Sequence, residues 1–193
     1  MKAFSQNKEI FEVSNMDSYK ITIAGLERDL PICSVSDTLD IAAFVMFGDI
    51  EITEAVAAAL LAKCPEHDIV VTAEAKGIPL CYEMARQGCR DYEIARKSIK
   101  TYDKNPISFE VKSITTNAVQ RLYLAKERAD RIRGKRVLIV DDVISTGASL
   151  YVLEELVKQA GGIIVGKAAV LAEGNAAERN DIIYLEQLPL FPK

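Results

Sequence analysis

Past residue 67 the chain alternates between short apolar runs and segments of helical period. Asp68–Ala73 (DIVVTA) and Val137–Val140 (VLIV) are continuous apolar runs, the pattern of strands buried on both faces. Gly77–Gln87 has helical spacing, with Pro79 tolerated in its first turn and Gly88 ending it. Asp91–Ala95 reads as a short strand. Ser108–Ser113 and Gln120–Ala125 read as two arms of a ribbon, with Thr115–Asn117 at the tip. Ser149–Ala160 places Leu150, Leu153 and Val157 on one helical stripe, and Ile163–Leu171 and Ile182–Leu185 are further strands. Before residue 68, Tyr19–Ala24 alternates, Glu27–Asp29 is a charged turn and Leu30–Val35 is extended again, which predicts a hairpin. An apolar stretch, Ile41–Phe47, then ends at Gly48. Glu51–Cys64 predicts a helix, with Ile52, Val56, Leu60 and Leu61 at helical spacing and Asp49 as its N-cap. Alternating strands and helices predict an α/β fold, a mainly parallel central sheet flanked by helices.

At 193 residues the chain suits one domain, divided into an N-terminal part of about 1–48 and a core of about 49–185. The formal net charge is −4, which disfavours a protein that coats nucleic acid or an anionic membrane. Cys33, Cys64, Cys81 and Cys89 form no C-x-x-C pair, and His67 is the single histidine, so no Cys/His zinc cluster is expected. His67, between Glu66 and Asp68, reads as a surface loop residue. Free thiols, the absence of a signal-peptide core in Met1–Lys20 and the shortness of every apolar stretch predict a cytoplasmic protein without a membrane span.

The chemistry concentrates in Val137–Leu150 (VLIVDDVISTGASL). A buried strand ends in two adjacent carboxylates, Asp141 and Asp142. The loop that follows leads into a helix and carries small residues, Ser145, Thr146, Gly147, Ala148 and Ser149. Small residues let backbone N–H groups approach an anion closely, at the positive end of the next helix. Ionised carboxylates only accept hydrogen bonds, so the acid pair suits the two hydroxyls of a ribose. The segment therefore predicts a site for a ribose 5-phosphate. Neither G-x-x-x-x-G-K-[ST] nor a G-x-G-x-x-G after a strand is present.

This segment resembles the phosphoribosyl pyrophosphate (PRPP) signature of the type I phosphoribosyltransferases: an apolar strand, an acidic pair and a Thr-Gly-x-Ser loop. Thr72–Leu80 (TAEAKGIPL) resembles the pyrophosphate loop of the adenine branch, and Ala95–Thr101 (ARKSIKT) its Arg-Lys-x-x-Lys segment. The resemblance covers about Asp68–Leu171. It implies that Ala75, Lys76 and Gly77 face pyrophosphate and that Arg96, Lys97 and Lys100 neutralise the phosphates. It implies that Ser145–Ser149 hold the 5′-phosphate and that Asp141 and Asp142 hold the ribose. Mg²⁺ would be bound through PRPP and pyrophosphate. It further implies a type I phosphoribosyltransferase fold whose small N-terminal hood holds a purine, with Phe44, Phe47 or Ile32 as candidates for stacking on the base. Tyr102–Asn117 would be a mobile lid. A homodimer is implied, in which partner residues approach the site, with neither nucleic acid nor membrane as partner.

Two positions depart from the adenine pattern. The adenine enzymes carry Glu-Tyr-Gly in the lid, where this chain has KSITTN at Lys112–Asn117; Glu110 is the nearby acid. The lid's Ser113 and Thr115 resemble bacterial xanthine phosphoribosyltransferases. Those enzymes, however, place a lysine where this chain has Glu173. A carboxylate accepts hydrogen bonds, so Glu173 favours an amino-purine over an oxo-purine. The expected function is adenine phosphoribosyltransferase, making AMP and pyrophosphate. A 6-oxopurine enzyme and a PRPP-sensing regulator on the same fold are the alternatives.

Overall fold

The computed structural model describes residues 18–101, 104–112 and 119–193. Its elements in chain order are β1 (Ser18–Ile23), β2 (Leu26–Ser36), β3 (Leu39–Ala42), α1 (Ile50–Leu61), β4 (Ile69–Ala73), α2 (Ile78–Gln87), β5 (Tyr92–Ala95), β6 (Ile107–Lys112), β7 (Val119–Leu124), α3 (Lys126–Ile132), β8 (Arg136–Ile144), α4 (Ala148–Gln159), β9 (Ile163–Glu173), a 3₁₀ turn (Gly174–Glu178), β10 (Ile183–Leu188) and β11 (Leu190–Pro192).

The central sheet runs β10-β9-β8-β4-β5, with every neighbouring pair parallel. It is the α/β architecture the alternation predicts. The apolar runs divide between the two faces residue by residue. On β8, Leu138 and Val140 join one buried cluster, with α1, α2 and the N-terminal strands, while Val137, Ile139 and Ile144 join the other, with α3 and α4. This two-sided burial explains why these strands read as continuous apolar runs. Chain order reverses between β4 and β8, so the crevice beyond their carboxyl ends is the switch point where doubly wound sheets bind ligands.

A second sheet, β1-β2-β3-β11, forms the hood. Its first hairpin turns at Ala24–Gly25, with φ of 50° and 83°, and pairs Ile23 with Leu26. Glu27–Asp29 is therefore in β2 and not in the turn; a two-residue loop with both φ positive matches the twist of paired strands. β11 comes from the far end of the chain, pairing Leu190 with Ile41, so the hood is not N-terminal alone. The rings of Tyr19 and Phe191, on its two edge strands, meet at 5.5 Å, which curls the sheet. Asp49 caps α1 as expected, accepting from the Ile52 N–H at 3.1 Å. The ribbon is β6–β7, and its expected tip, Thr115–Asn117, lies outside the described residues, as does Tyr102 of the expected lid. The helix α3, the 3₁₀ turn and β11 have too few residues to leave a periodic signal.

Candidate active site

A cavity of about 490 Å³ opens at the switch point, lined by residues that follow β4 (Glu74, Ala75, Lys76), the end of β8 (Asp141, Asp142, Val143), Lys97, Ser149 and the ribbon residues Gln120–Leu122. Two loops frame it. Each follows a strand buried on both faces and leads into a helix with no side-chain cap: Gly77 precedes α2 and Gly147 precedes α4. Uncapped helix starts leave backbone N–H groups for an anion.

The first loop, Glu74–Gly77, is closely packed at Gly77, while Ala75 and Lys76 are exposed. The Glu74–Ala75 peptide is cis. A Cβ at Gly77 would lie 2.4 Å from Thr72 Oγ1 and 3.1 Å from Asp141 Oδ1, so only glycine lets the loop lie this close to the acid pair. Lys76 Nζ reaches Asp142 Oδ2 at 2.8 Å. Glu74 accepts the Lys97 N–H at 2.9 Å, which ties this loop to the segment after β5.

The acids lie within β8, which continues to Ile144, and not beyond the strand's end. Strand alternation sends consecutive side chains to opposite faces, yet Asp141 and Asp142 both line the cavity. Asp142 is buried at 3 % exposure. The Asp142 N–H donates to Asp141 Oδ1 at 2.9 Å. Burial, then the charge of Asp142, push the Asp141 carboxyl up to about 7, with Lys76 opposing. The second loop, Ser145–Gly147, is exposed except at Gly147, whose φ of 76° is left-handed. The Ser149 hydroxyl donates to Gln120 Oε1 at 3.1 Å, joining α4 to the ribbon.

Several expected residues do not meet here. Arg96 lines a separate cavity of about 380 Å³, together with Glu93, Arg128 and Arg131. Its backbone is held by Tyr123, so its strand position is set by the ribbon. Lys100 lines neither cavity and donates to Ser98 at 3.1 Å. Glu110 is ion-paired with its cross-strand neighbour Arg121, and it is Arg121 that lines the main cavity. Phe44 is 3 % exposed, in the core with Ile23, Leu30 and Met46; its ring is spent on packing and not presented to a base. Phe47 is 54 % exposed. Glu173 ends β9 and is half-buried. Burial raises its carboxyl above the usual range, with the charge of Lys76 opposing. Sequence reasoning missed Gln120 and Arg121. Their alternating strand offered no motif, and only the ribbon's fold over α4 brings them in.

Among the described residues no three His, Cys, Asp or Glu side chains converge on a metal position. This donor set does not make a cage. It fits an Mg²⁺ carried on the oxygens of a substrate. No described helix is long and apolar enough to cross a membrane.

An acid pair between two uncapped helix starts has the chemistry to hold the hydroxyls and phosphates of an anionic sugar. The phosphoribosyl transferase domain model matches residues 46–188, more than half of the chain, and the chain belongs to that family. The match stops short of every strand of the hood. A hypoxanthine/guanine phosphoribosyltransferase of Methanothrix thermoacetophila is 33 % identical over 112 residues, which is 58 % of this chain and 55 % of that protein. The purine biosynthesis transcriptional repressor PurR of Bacillus subtilis is 29 % identical over 125 residues, covering 65 % and 43 %. An adenine phosphoribosyltransferase of Rhodococcus jostii is 31 % identical over 126 residues, covering 65 % and 69 %. The chain thus spans about half the length of the first two. The crystal structure of adenine phosphoribosyltransferase from Thermoanaerobacter pseudethanolicus superposes with a TM-score of 0.61 at 21 % identity, covering 89 % of this chain and 96 % of that one. The fold is that of the type I phosphoribosyltransferases.

Proposed function

We propose that the protein is a purine phosphoribosyltransferase that converts adenine and PRPP to AMP and pyrophosphate. The observation that carries this reading is the meeting of Lys76, Lys97, Asp141, Asp142 and Ser149 in one cavity at the switch point. Asp141 and Asp142 accept the ribose hydroxyls. Amides of Ala75–Gly77 and the ammonium groups of Lys76 and Lys97 take the pyrophosphate, and Ser145–Ser149 take the 5′-phosphate. Lys76 must leave Asp142 for the phosphates as PRPP enters, which frees Asp142 for the sugar. The purine ring nitrogen bonds to C1 as the C1–O bond breaks and pyrophosphate takes the bonding pair. The nitrogen's proton is released to solvent. Carboxylates beside C1 stabilise the positive charge that builds on the sugar, and positioning supplies most of the remainder. Charge neutralisation on the leaving group is what an Mg²⁺ bound through PRPP and pyrophosphate would supply. Glu110 acts through Arg121, as a positioning residue.

Glu173 favours adenine, since its carboxylate accepts from an exocyclic amino group and opposes an oxo group. A homodimer, with partner residues approaching the site, is part of this reading. Assay of adenine, hypoxanthine, guanine and xanthine with PRPP and Mg²⁺ tests the reading. Adenine is expected to react best, and turnover of none would overturn it. The similarity to PurR supports a second reading, a PRPP-responsive regulator. PRPP-dependent nucleic-acid retention at modest salt, with no turnover, would establish that one.

A further inference from the structure

The Ser145–Ser149 turn contains no lysine or arginine, yet a guanidinium touches it from a distant part of the chain. A Cβ built on Gly147 would lie 2.3 Å from Arg179 Nη1 and 3.5 Å from its Cζ, so the Arg179 head meets the one left-handed residue of the turn end-on, with Nη1 foremost. Arg179 follows the 3₁₀ turn Gly174–Glu178, which itself follows Glu173. Its head is fixed by Asp181 through two bonds, Nε to Oδ1 at 2.9 Å and Nη2 to Oδ2 at 2.8 Å. That fork uses one edge of the guanidinium and aims Nη1 at Gly147. Asp181 is also bound by Lys167 of β9, and Lys167 reaches Glu154 of α4 at 3.1 Å. The chain of contacts therefore leaves the turn at Gly147 and returns to α4, the helix that the turn begins.

We propose that Arg179 is a positioning residue for the sugar-phosphate end of the site. Held by Asp181, it buttresses Gly147 and keeps the Ser145–Ser149 turn open to a phosphoryl group. The brace contains two cations and two carboxylates, so it adds position and not net charge. Bidentate Arg–carboxylate pairs hold a plane that a lysine cannot. The proposal rests on the reading of this turn as the 5′-phosphate cradle.

Calorimetric titration of the full chain with ribose 5-phosphate, and separately with pyrophosphate plus Mg²⁺, tests it on Arg179→Gln, Arg179→Lys and Asp181→Asn. All three are expected to weaken ribose 5-phosphate binding, by about tenfold for Arg179→Gln, the fold-change of about 1.4 kcal/mol. Pyrophosphate binding should stay within about twofold, since its loop lies across the cavity. Asp181→Asn is the decisive variant. It releases Arg179 but keeps its charge, so tighter ribose 5-phosphate binding would show a direct charge contact and overturn the positioning role. Unchanged binding in all three, or equal losses for both ligands, would overturn it too. If Arg179→Gln does not fold, Asp181→Asn and Arg179→Lys decide alone. Wild-type protein that binds pyrophosphate but not ribose 5-phosphate would remove the cradle itself, an outcome distinct from a cradle indifferent to Arg179.

Discussion

The loops before α2 and α4 solve one problem in two ways. Both present uncapped helix amides to an anion, and both depend on a glycine. At Gly77 the backbone φ is −73°, an ordinary value, and the glycine is needed for space: Thr72, fully buried, and the backbone of Asp141 occupy the place of a side chain. At Gly147 the need is conformational, with φ at 76°, and the neighbour in the way is the far end of the Arg179 side chain. The first loop is anchored at Gly77, where β4 and β8 wall it in. The second stands exposed and is steadied from outside. The pyrophosphate loop is placed by the strands beside it, whereas the phosphate turn is placed by a side chain that Asp181 holds from outside.

Substitutions test this contrast, beginning with the acid that both loops serve. Asp142→Ala should lower phosphoribosyl transfer by about 100- to 1,000-fold, with the circular dichroism spectrum unchanged; near-normal turnover would remove Asp142 from the ribose site. Gly77→Ala forces Thr72 or β8 to move. It should cost about 1–3 kcal/mol of stability and about 100-fold in kcat/KM. Adding Thr72→Ala should recover part of the stability in urea melts, because Thr72 Oγ1 is the nearest obstacle. Gly147→Ala should cost less, about 1–2 kcal/mol from the left-handed backbone, since Arg179 swings aside. Equal costs at the two glycines would erase the distinction between a steric and a conformational requirement.

The last test is a pH dependence. The Asp141 carboxyl is raised from its ordinary 3.8 to about 7 in the folded chain. Below the lower value both folded and unfolded chains hold the proton, and the group costs no stability. Between the two values the unfolded chain ionises first, so the folded state binds more protons and stability falls as pH rises. The full cost is present above about 7. Asp141→Asn removes it. Its Tm relative to wild type should therefore climb between pH 5 and pH 8, by about 2–4 °C for each 1 kcal/mol. A difference that shrinks with pH would contradict the raised carboxyl.

Much of the site was legible because it is local. Val137–Leu150 has strand, acids, turn and helix in one stretch, so short-range rules locate the acid pair and the phosphate turn. Thr72–Leu80 is local in the same way. Arg96 and Lys97 show the limit. They are adjacent in sequence, yet Lys97 faces the main cavity while Arg96 lines the second one, because the bridge from Arg96 to Tyr123 fixes the strand that far and the chain turns immediately after. Glu110 and Arg121 have no motif at all; a ribbon's register pairs them. Phe44 was a plausible stacking ring by composition, and burial among β-strands of the hood gave it to the core.

By itself the sequence determined the elements whose signals lie within about ten residues: the two-faced strands, the Asp49 cap, the acid pair and the small-residue turn. The tertiary structure alone decided which distant groups complete them. Closure of the hood by Leu190–Pro192, entry of Gln120 and Arg121 into the cavity and the seating of Arg179 on Gly147 all join segments far apart in the chain. Periodicity reports how each segment divides itself between core and water. It carries no information about which other segment will occupy the far side of a turn, because that partner is selected by packing of the whole sheet.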